Sequence, residues 1–434
     1  MTSSAKVASV RARQILDSRG RPTVEADVTL EDGSFGRACA PSGASRGRYE
    51  AWELRDRNPE HYDGLGVRLA VANANDELSS AILGLSALDQ ETLDRLMRDV
   101  DGTASLQRLG ANAVLAVSMA IARAAADHQG VPLYRHLADL ADTTISIPMP
   151  MTNILSGGAH AGRGMDLQDF LVIPAGAKSY SEALEMISKV RMSSTQLMKN
   201  RGLTTLLADE GGLSPGFGKA DQAMELMVRS FEAAGLRPGE DVAIALDVAA
   251  SEFFENGSYR LVGEDCTLSG TEMAEFILDL ARRYPVISIE DPLEQDDWDN
   301  WRRLTSALPN CQIVGDDLFV TSVERIQTGI EKGAANAALI KLNQNGTVSG
   351  TIEATATAKS AGYAAIVSAR SGETEDTFIA DLSVALGMGQ IKIGSVRSSE
   401  RLAKYNQLLR IEEDSNIPFA GRSGIYGQST AGVA

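Results

Sequence analysis

Residues 285–290 read Pro-Val-Ile-Ser-Ile-Glu, a short apolar run closed by one carboxylate. Alone it reads as a buried strand with a polar tip, and a charge just past a strand is ordinarily a solvated loop residue or a helix cap. The same pattern recurs, however. TTLLADE closes on Glu210, DVAIALD on Asp247, QIVGD on Asp316, NAALIK on Lys341, AIVSAR on Arg370 and GQIK on Lys392. Successive charges lie 37, 43, 26, 25, 29 and 22 residues apart. Each interval has room for one strand and one crossover helix, so the pattern predicts parallel strands closing into a barrel of the TIM type. The strand ends of such a barrel converge on one mouth, where these seven charges would face one another.

Working outward, Thr23 to Leu30 (TVEADVTL) alternates at period two, and the EDG turn after it leads into SFGRACA, as in an antiparallel meander. Val67, Val71, Ala74, Leu78 and Ile82 fall at helical spacing, and a second helix is expected from Asn112 to Gln129, ending at Gly130. Beyond the stretch Asp142 to Pro150, short apolar runs alternate with amphipathic segments such as Ser181–Asn200 and Ala220–Gly235. The expectation is an α/β chain: residues 1–140 form an α+β capping domain of meander and helices, and residues 141–434 a (β/α)8-like barrel. No repeat of fixed period points to a solenoid.

A formal charge of −17 disfavours nucleic acid and anionic membrane as partners. No apolar leader or membrane-spanning run is present, so a cytoplasmic protein is expected. Cys39, Cys266 and Cys311 show no metal spacing, cannot all pair, and read as small core residues in a reducing compartment.

Asp247, Glu290 and Asp316 on consecutive strands would repel one another without a cation, and an all-oxygen set suits Mg²⁺ rather than zinc. Lys341, Arg370 and Lys392 on the next three suit an anion bearing carboxylate and phosphate. A lysine among cations has its charged form disfavoured, so Lys341 or Lys392 could act as a general base near neutral pH, with Glu210 across the mouth as an acid. These parts describe proton abstraction beside a carboxylate followed by elimination.

Several stretches, in order, resemble the enolase (phosphopyruvate hydratase) family over nearly the whole chain: ILDSRGRPTVEADV, PSGASRGRYEA, GANAVLAVSMA, ADEGGLSP, IALDVAASEF, SIEDPLEQDDW, VGDD, IKLNQNGT, RSGETED and RSSERLAKYNQLLRIEE. The resemblance implies an enolase fold and a cytoplasmic homodimer acting on 2-phosphoglycerate and phosphoenolpyruvate. It implies two Mg²⁺ sites: Asp247, Glu290 and Asp316 hold the first, and Ser45 helps bring the second with substrate. Lys341 becomes the base at C2, Lys392 the carboxylate ligand, and Arg370 and Ser371 the phosphate grip. Glu210, Asp169 and His160 of SGGAHAG fall to the catalytic acid side, and Gln168 and Ser45 to substrate binding. Taken bare, Ser45 is a turn residue, His160 an exposed one, and Gly43, Gly157 and Gly158 only loop glycines.

The chain departs from the family pattern where the leaving hydroxyl is handled. Alanine stands at 369 where the family has histidine, and aspartate at 169 where it has glutamate; Ser156, Arg46 and Asn345 are smaller departures. Alanine gives no proton, and aspartate reaches about 1.5 Å less far than glutamate. Three readings stay open: ordinary dehydration of 2-phosphoglycerate, a diverged enzyme resembling carboxyphosphonoenolpyruvate synthase of phosphonate biosynthesis, and a catalytically silent scaffold.

Overall fold

The computed structural model describes residues 4–44, 46–162, 164–413 and 416–427. The chain opens with an antiparallel meander of β1 (Val7–Leu16), β2 (Pro22–Leu30) and β3 (Phe35–Cys39). Alternation puts Val24, Ala26, Val28 and Leu30 inward, and the alanine-rich helix Ala111–Gln129 covers them. The approach is close enough that a Cβ on Gly36 would stand 2.0 Å from the Ala120 carbonyl oxygen, which is why β3 carries glycine there. Residues 68–82 run as one helical stretch with a π-turn at Ala74–Leu78, burying Ala74, Leu78 and Ile82 as their spacing predicts. Gly130, at φ +66°, ends the long helix in the left-handed conformation.

The barrel follows, from β4 (Met149–Ser156), β5 (Asp169–Ile173) and β6 (Ala243–Asp247). A small separate sheet comes next, made of β7 (Phe254–Glu255), β8 (Ser258–Leu261) and β9 (Cys266–Leu268). The barrel then resumes with β10 (Val286–Glu290), β11 (Gln312–Gly315), β12 (Ala337–Ile340), β13 (Ala364–Ser368) and β14 (Gly389–Lys392). It closes in the order β10-β11-β12-β13-β14-β4-β5-β6.

Two expectations need correction here. The strands are not all parallel, because β5 runs antiparallel to both β4 and β6. Nor does TTLLADE form a strand: Leu206 and Leu207 are 72% and 43% exposed, so that apolar run faces outward and Glu210 sits in a turn after the helix Tyr180–Asn200. The first two barrel strands lie instead in Met149–Ser156, where Pro150 argues against an interior strand, and in Asp169–Ile173. Cys39 and Cys311 are buried as expected, whereas Cys266 is half-buried; all three thiols are free. Among the described residues no helix is long and apolar enough to cross a membrane.

One hydrophobic cluster joins the lobes, running from Val24 and Leu115 through Leu342, Val367 and Phe378 to Tyr405. Inside this junction Asp381, 4% exposed, accepts from Gln407 Nε2 at 3.3 Å. Burial pushes its carboxyl up from 3.8 to about 6. A raised carboxyl pKa means that the folded state holds a proton the unfolded chain has released, so stability falls as pH rises from about 4 to about 6, by up to about 3 kcal/mol. Asp381→Asn is expected to remove that part of the slope, which urea titrations across the same pH window would measure against the wild-type protein.

Candidate active site

Six of the seven predicted charges stand at one end of the barrel. Asp247, Glu290 and Lys392 are the last residues of β6, β10 and β14; Asp316 and Lys341 directly follow β11 and β12, and Arg370 comes two residues after β13. Because β5 runs the other way, its first residue, Asp169, opens onto the same mouth and pairs in register with Asp247. Glu210 reaches the mouth from its turn, fixed by the Ser395 N–H donating to the Glu210 carbonyl at 2.9 Å. All of these except Asp316 and Lys341 are buried, and those two are half-buried.

Two ammonium groups organise the acids. Lys392 Nζ donates to Asp247 Oδ2 at 2.7 Å and to Glu290 Oε2 at 2.6 Å, and Gln168 Nε2 meets Asp247 Oδ2 at 3.2 Å. Lys341 Nζ donates to Asp316 Oδ2 at 2.5 Å, while Gln344 Nε2 reaches Asp316 Oδ1 at 2.8 Å. The predicted carboxylate triad is therefore brought together in two parts, Asp247 with Glu290 and Asp316 beside Lys341. Among the described residues, the acidic groups of three whose ligand atoms come within 4.8 Å of one another are His160-Asp169-Glu210 and Asp291-Asp316-Asp317.

These residues fit a hard divalent cation. Glu290 Oε1 and Gln168 Oε1 are buried without a partner, and burial with the Asp247 charge pushes the Glu290 carboxyl up to about 8, although Lys392 pulls the other way. Asp247, Glu290 and Asp316 offer oxygen donors only, which is the donor chemistry of Mg²⁺ sites.

The lysines differ from expectation. Burial disfavours both ammonium groups, but Asp316 holds Lys341 above its ordinary value, and Asp247 and Glu290 hold Lys392 well above it. Facing carboxylates, not neighbouring cations, dominate the field at each nitrogen. A neutral amine therefore requires those carboxylates to be turned toward another cation.

At the anionic end, Arg370 NH1 and NH2 donate to Glu50 at 3.1 and 3.3 Å, and NH1 also donates to Asn343 Oδ1 at 2.9 Å. Ser371 Oγ accepts from Arg19 NH1 at 3.2 Å. Glu50 further accepts from Gln344 Nε2 at 3.3 Å, so one capping-lobe carboxylate touches both the Arg370 and the Asp316 arms. Sequence reasoning missed Glu50, Asn343, Gln344 and Arg19. None carries a local signal beyond lying inside stretches already singled out.

Across the mouth, His160 is buried, not exposed, on the short 3₁₀ turn Gly158–Ala161. Its Nδ1 lies 2.9 Å from Asp169 Oδ2 and its Nε2 3.8 Å from Glu210 Oε1. Burial opposes its charge, yet Asp169 and Glu210 outweigh burial and raise it to about 9. Ser156 Oγ donates to Asp169 Oδ1 at 2.5 Å, and Asn153 Nδ2 to Glu210 Oε2 at 3.1 Å. Ala369, 6% exposed, brings no polar side-chain atom; its backbone N–H donates to Lys392 O at 2.8 Å and its carbonyl accepts from Ser368 Oγ at 3.0 Å. Ser45 lies outside the described residues.

The chain matches the family description "Enolase, N-terminal domain" over residues 7–137 and "Enolase, C-terminal TIM barrel domain" over residues 144–427.

Proposed function

Because the chain belongs to the enolase family, we propose that it is a Mg²⁺-dependent lyase that forms an enolpyruvate from a small phosphorylated carboxylate, with 2-phosphoglycerate and phosphoenolpyruvate as its pair. The observation that carries this reading is the placement of two ammonium groups, one buried and one half-buried, among Asp247, Glu290 and Asp316, within one mouth that also holds Arg370. Asp247, Glu290 and Asp316 would hold the metal, whose charge supplies stabilisation to the carboxylate oxygens as proton loss makes them more negative. Lys392 binds that carboxylate, and Arg370 with Ser371 binds the phosphoryl group. The Lys341 amine takes the C2 proton; the C–H electron pair becomes the C2–C3 double bond, and the C3 hydroxyl leaves as water with a proton from the Glu210-His160-Asp169 cluster. The test is ultraviolet detection of enolpyruvate from 2-phosphoglycerate and Mg²⁺; a purified, folded protein that gives none would sink this reading.

A second reading rests on Ala369. With a methyl group where a proton donor would stand, the acid end has His160, already paired with Asp169, and a smaller side chain at the β13 tip. A phosphorus bearing an added carboxylate, as in carboxyphosphonoenolpyruvate formation, fits such a site. The double change Ala369→His and Asp169→Glu separates the two: a large gain in dehydration supports a site retuned for another substrate, and no gain counts against it.

Metal binding gives an independent check. At about a hundredfold excess over its dissociation constant, Mg²⁺ is expected to stabilise the folded chain by about 2.7 kcal/mol. Glu290→Gln should abolish most of the calorimetric shift. A shift of equal size in that variant would remove Glu290 from the metal set.

A further inference from the structure

The short helix Leu342–Asn345 directly follows Lys341 at the tip of β12, and it ends on Asn345, a departure from the family pattern, which has an apolar residue there. The side chain is bonded at both ends. Its Nδ2 donates to the Thr321 carbonyl at 3.2 Å, while its Oδ1 accepts from Thr347 Oγ1 at 3.1 Å and from Arg98 NH2 at 2.7 Å. Arg98 belongs to the capping-lobe helix Gln90–Asp101, and the same nitrogen donates to the Asn345 backbone carbonyl at 2.8 Å. Among the described residues, no carboxylate hydrogen-bonds to this half-buried guanidinium; Asp94, Asp101 and Glu353 act on it only through space. Room for the amide is built into the next helix: a Cβ on Gly350 would stand 2.3 Å from Asn345 Oδ1.

Thr321 is what the Asn345 amide secures. Val320 and Thr321 sit at φ +42° and +50°, the left-handed region that β-branched residues ordinarily avoid. Such a conformation persists only where the neighbours fix it. Held there, Thr321 Oγ1 accepts from the Lys341 backbone N–H at 2.9 Å and donates to Gln344 Oε1 at 2.8 Å. Both polar ends of the threonine therefore bear on the turn that carries Lys341, the hydroxyl at its start and the carbonyl at its end. A groove of about 970 Å³, lined by Arg98, Thr321 and Asn345 among others, lets water compete for these groups. An amide already oriented by Arg98 loses little further freedom in bonding the Thr321 carbonyl.

Resting on the reading of Lys341 as the base, we propose that Asn345 and Arg98 are positioning residues for it: from the capping lobe they hold the left-handed Thr321 backbone, and through the Thr321 hydroxyl the seat of Lys341. Neither side chain bonds to Lys341 itself. Their effect reaches the amine only through the geometry of the turn.

Steady-state kinetics with 2-phosphoglycerate and Mg²⁺, run beside exchange of the substrate C2 hydrogen with deuterated solvent, tests this. Asn345→Leu keeps the size but has no amide; it should lower kcat and the exchange rate together by about ten- to a hundredfold, the cost of a misplaced catalytic group, while KM changes less than about threefold. Asn345→Asp separates positioning from packing. Its carboxylate pairs with Arg98 and should return Tm toward the wild-type value, but it has no N–H for the Thr321 carbonyl and should stay as slow as the leucine variant. Arg98→Met should lose part of the same kcat, and adding it to Asn345→Leu should cost less than it does alone, because Arg98 acts through Asn345. Arg95→Ala, an exposed position on the same helix bonded to Thr92 Oγ1 at 3.2 Å, should leave kcat unchanged. Wild-type kcat in Asn345→Leu, aspartate restoring kcat along with stability, or losses that simply multiply in the double change would overturn the positioning pair and leave Lys341 as the base. No C2 exchange by the wild-type protein would overturn that parent reading, and the pair with it.

Discussion

Replacing Lys341 by alanine is expected to lower kcat for enolpyruvate formation by about a thousandfold or more, the range in which a positioned general base contributes. The side chain stands at the tip of β12, its backbone N–H donating to Thr321 Oγ1 at 2.9 Å and its amine to Asp316. That hydroxyl donates in turn to Gln344 Oε1 at 2.8 Å, so the turn carrying the base is fixed to the partner of Asp316. On the proposed mechanism, loss of the amine removes the C2 proton acceptor, and it leaves Asp316 with the Gln344 amide. Substrate binding should suffer less, because Lys392 and Arg370 stay in place, and the loss should fall on kcat rather than on KM. Lys341→Arg keeps the positive charge beside Asp316 but cannot release a proton near neutral pH, so it should be nearly as slow. The decisive measurement is exchange of the substrate C2 hydrogen with deuterated solvent: exchange persisting at the wild-type rate in Lys341→Ala would assign the base elsewhere.

The same strand tips show how far the sequence was legible. A single charge after a fully apolar run marks a parallel barrel strand because such a strand is buried on both faces and polar only where it emerges. Six tips follow that rule, from Asp247 to Lys392. The rule fails where a strand runs the other way. On β5 the mouth residue is the first of the strand, so Asp169 stands before its apolar run and Glu210, after a superficially similar run, belongs to no strand. The lysine protonation was illegible for another reason. Composition places three bases together, but only coordinates show that each ammonium faces carboxylates. Pairings across the lobes, such as Glu50 with Arg370, join residues 320 apart in the chain and leave no periodic trace.

That pairing supports the second large prediction: Glu50→Ala is expected to destabilise the protein by about 3–5 kcal/mol, because it leaves the Arg370 guanidinium buried without its counter-charge. Both side chains are 5% exposed, so water can replace little of what is lost. Glu50 belongs to the segment after the meander, whereas Arg370 and Gln344 belong to the barrel, and Glu50 also accepts from the Gly47 N–H at 3.0 Å. One carboxylate therefore orients the anionic end, steadies the Gln344 amide on Asp316, and fixes the loop that carries Arg46. Glu50→Gln keeps an acceptor oxygen but not the charge, and should lie between alanine and the wild type in denaturant unfolding. If the pair acts as a unit, the double change Glu50→Ala with Arg370→Met should cost less than the sum of the single changes, since the second substitution removes the stranded charge made by the first. Additive losses would mean that Glu50 and Arg370 contribute independently, and that the capping lobe supports the barrel mouth through its other contacts, such as Arg19 on Ser371.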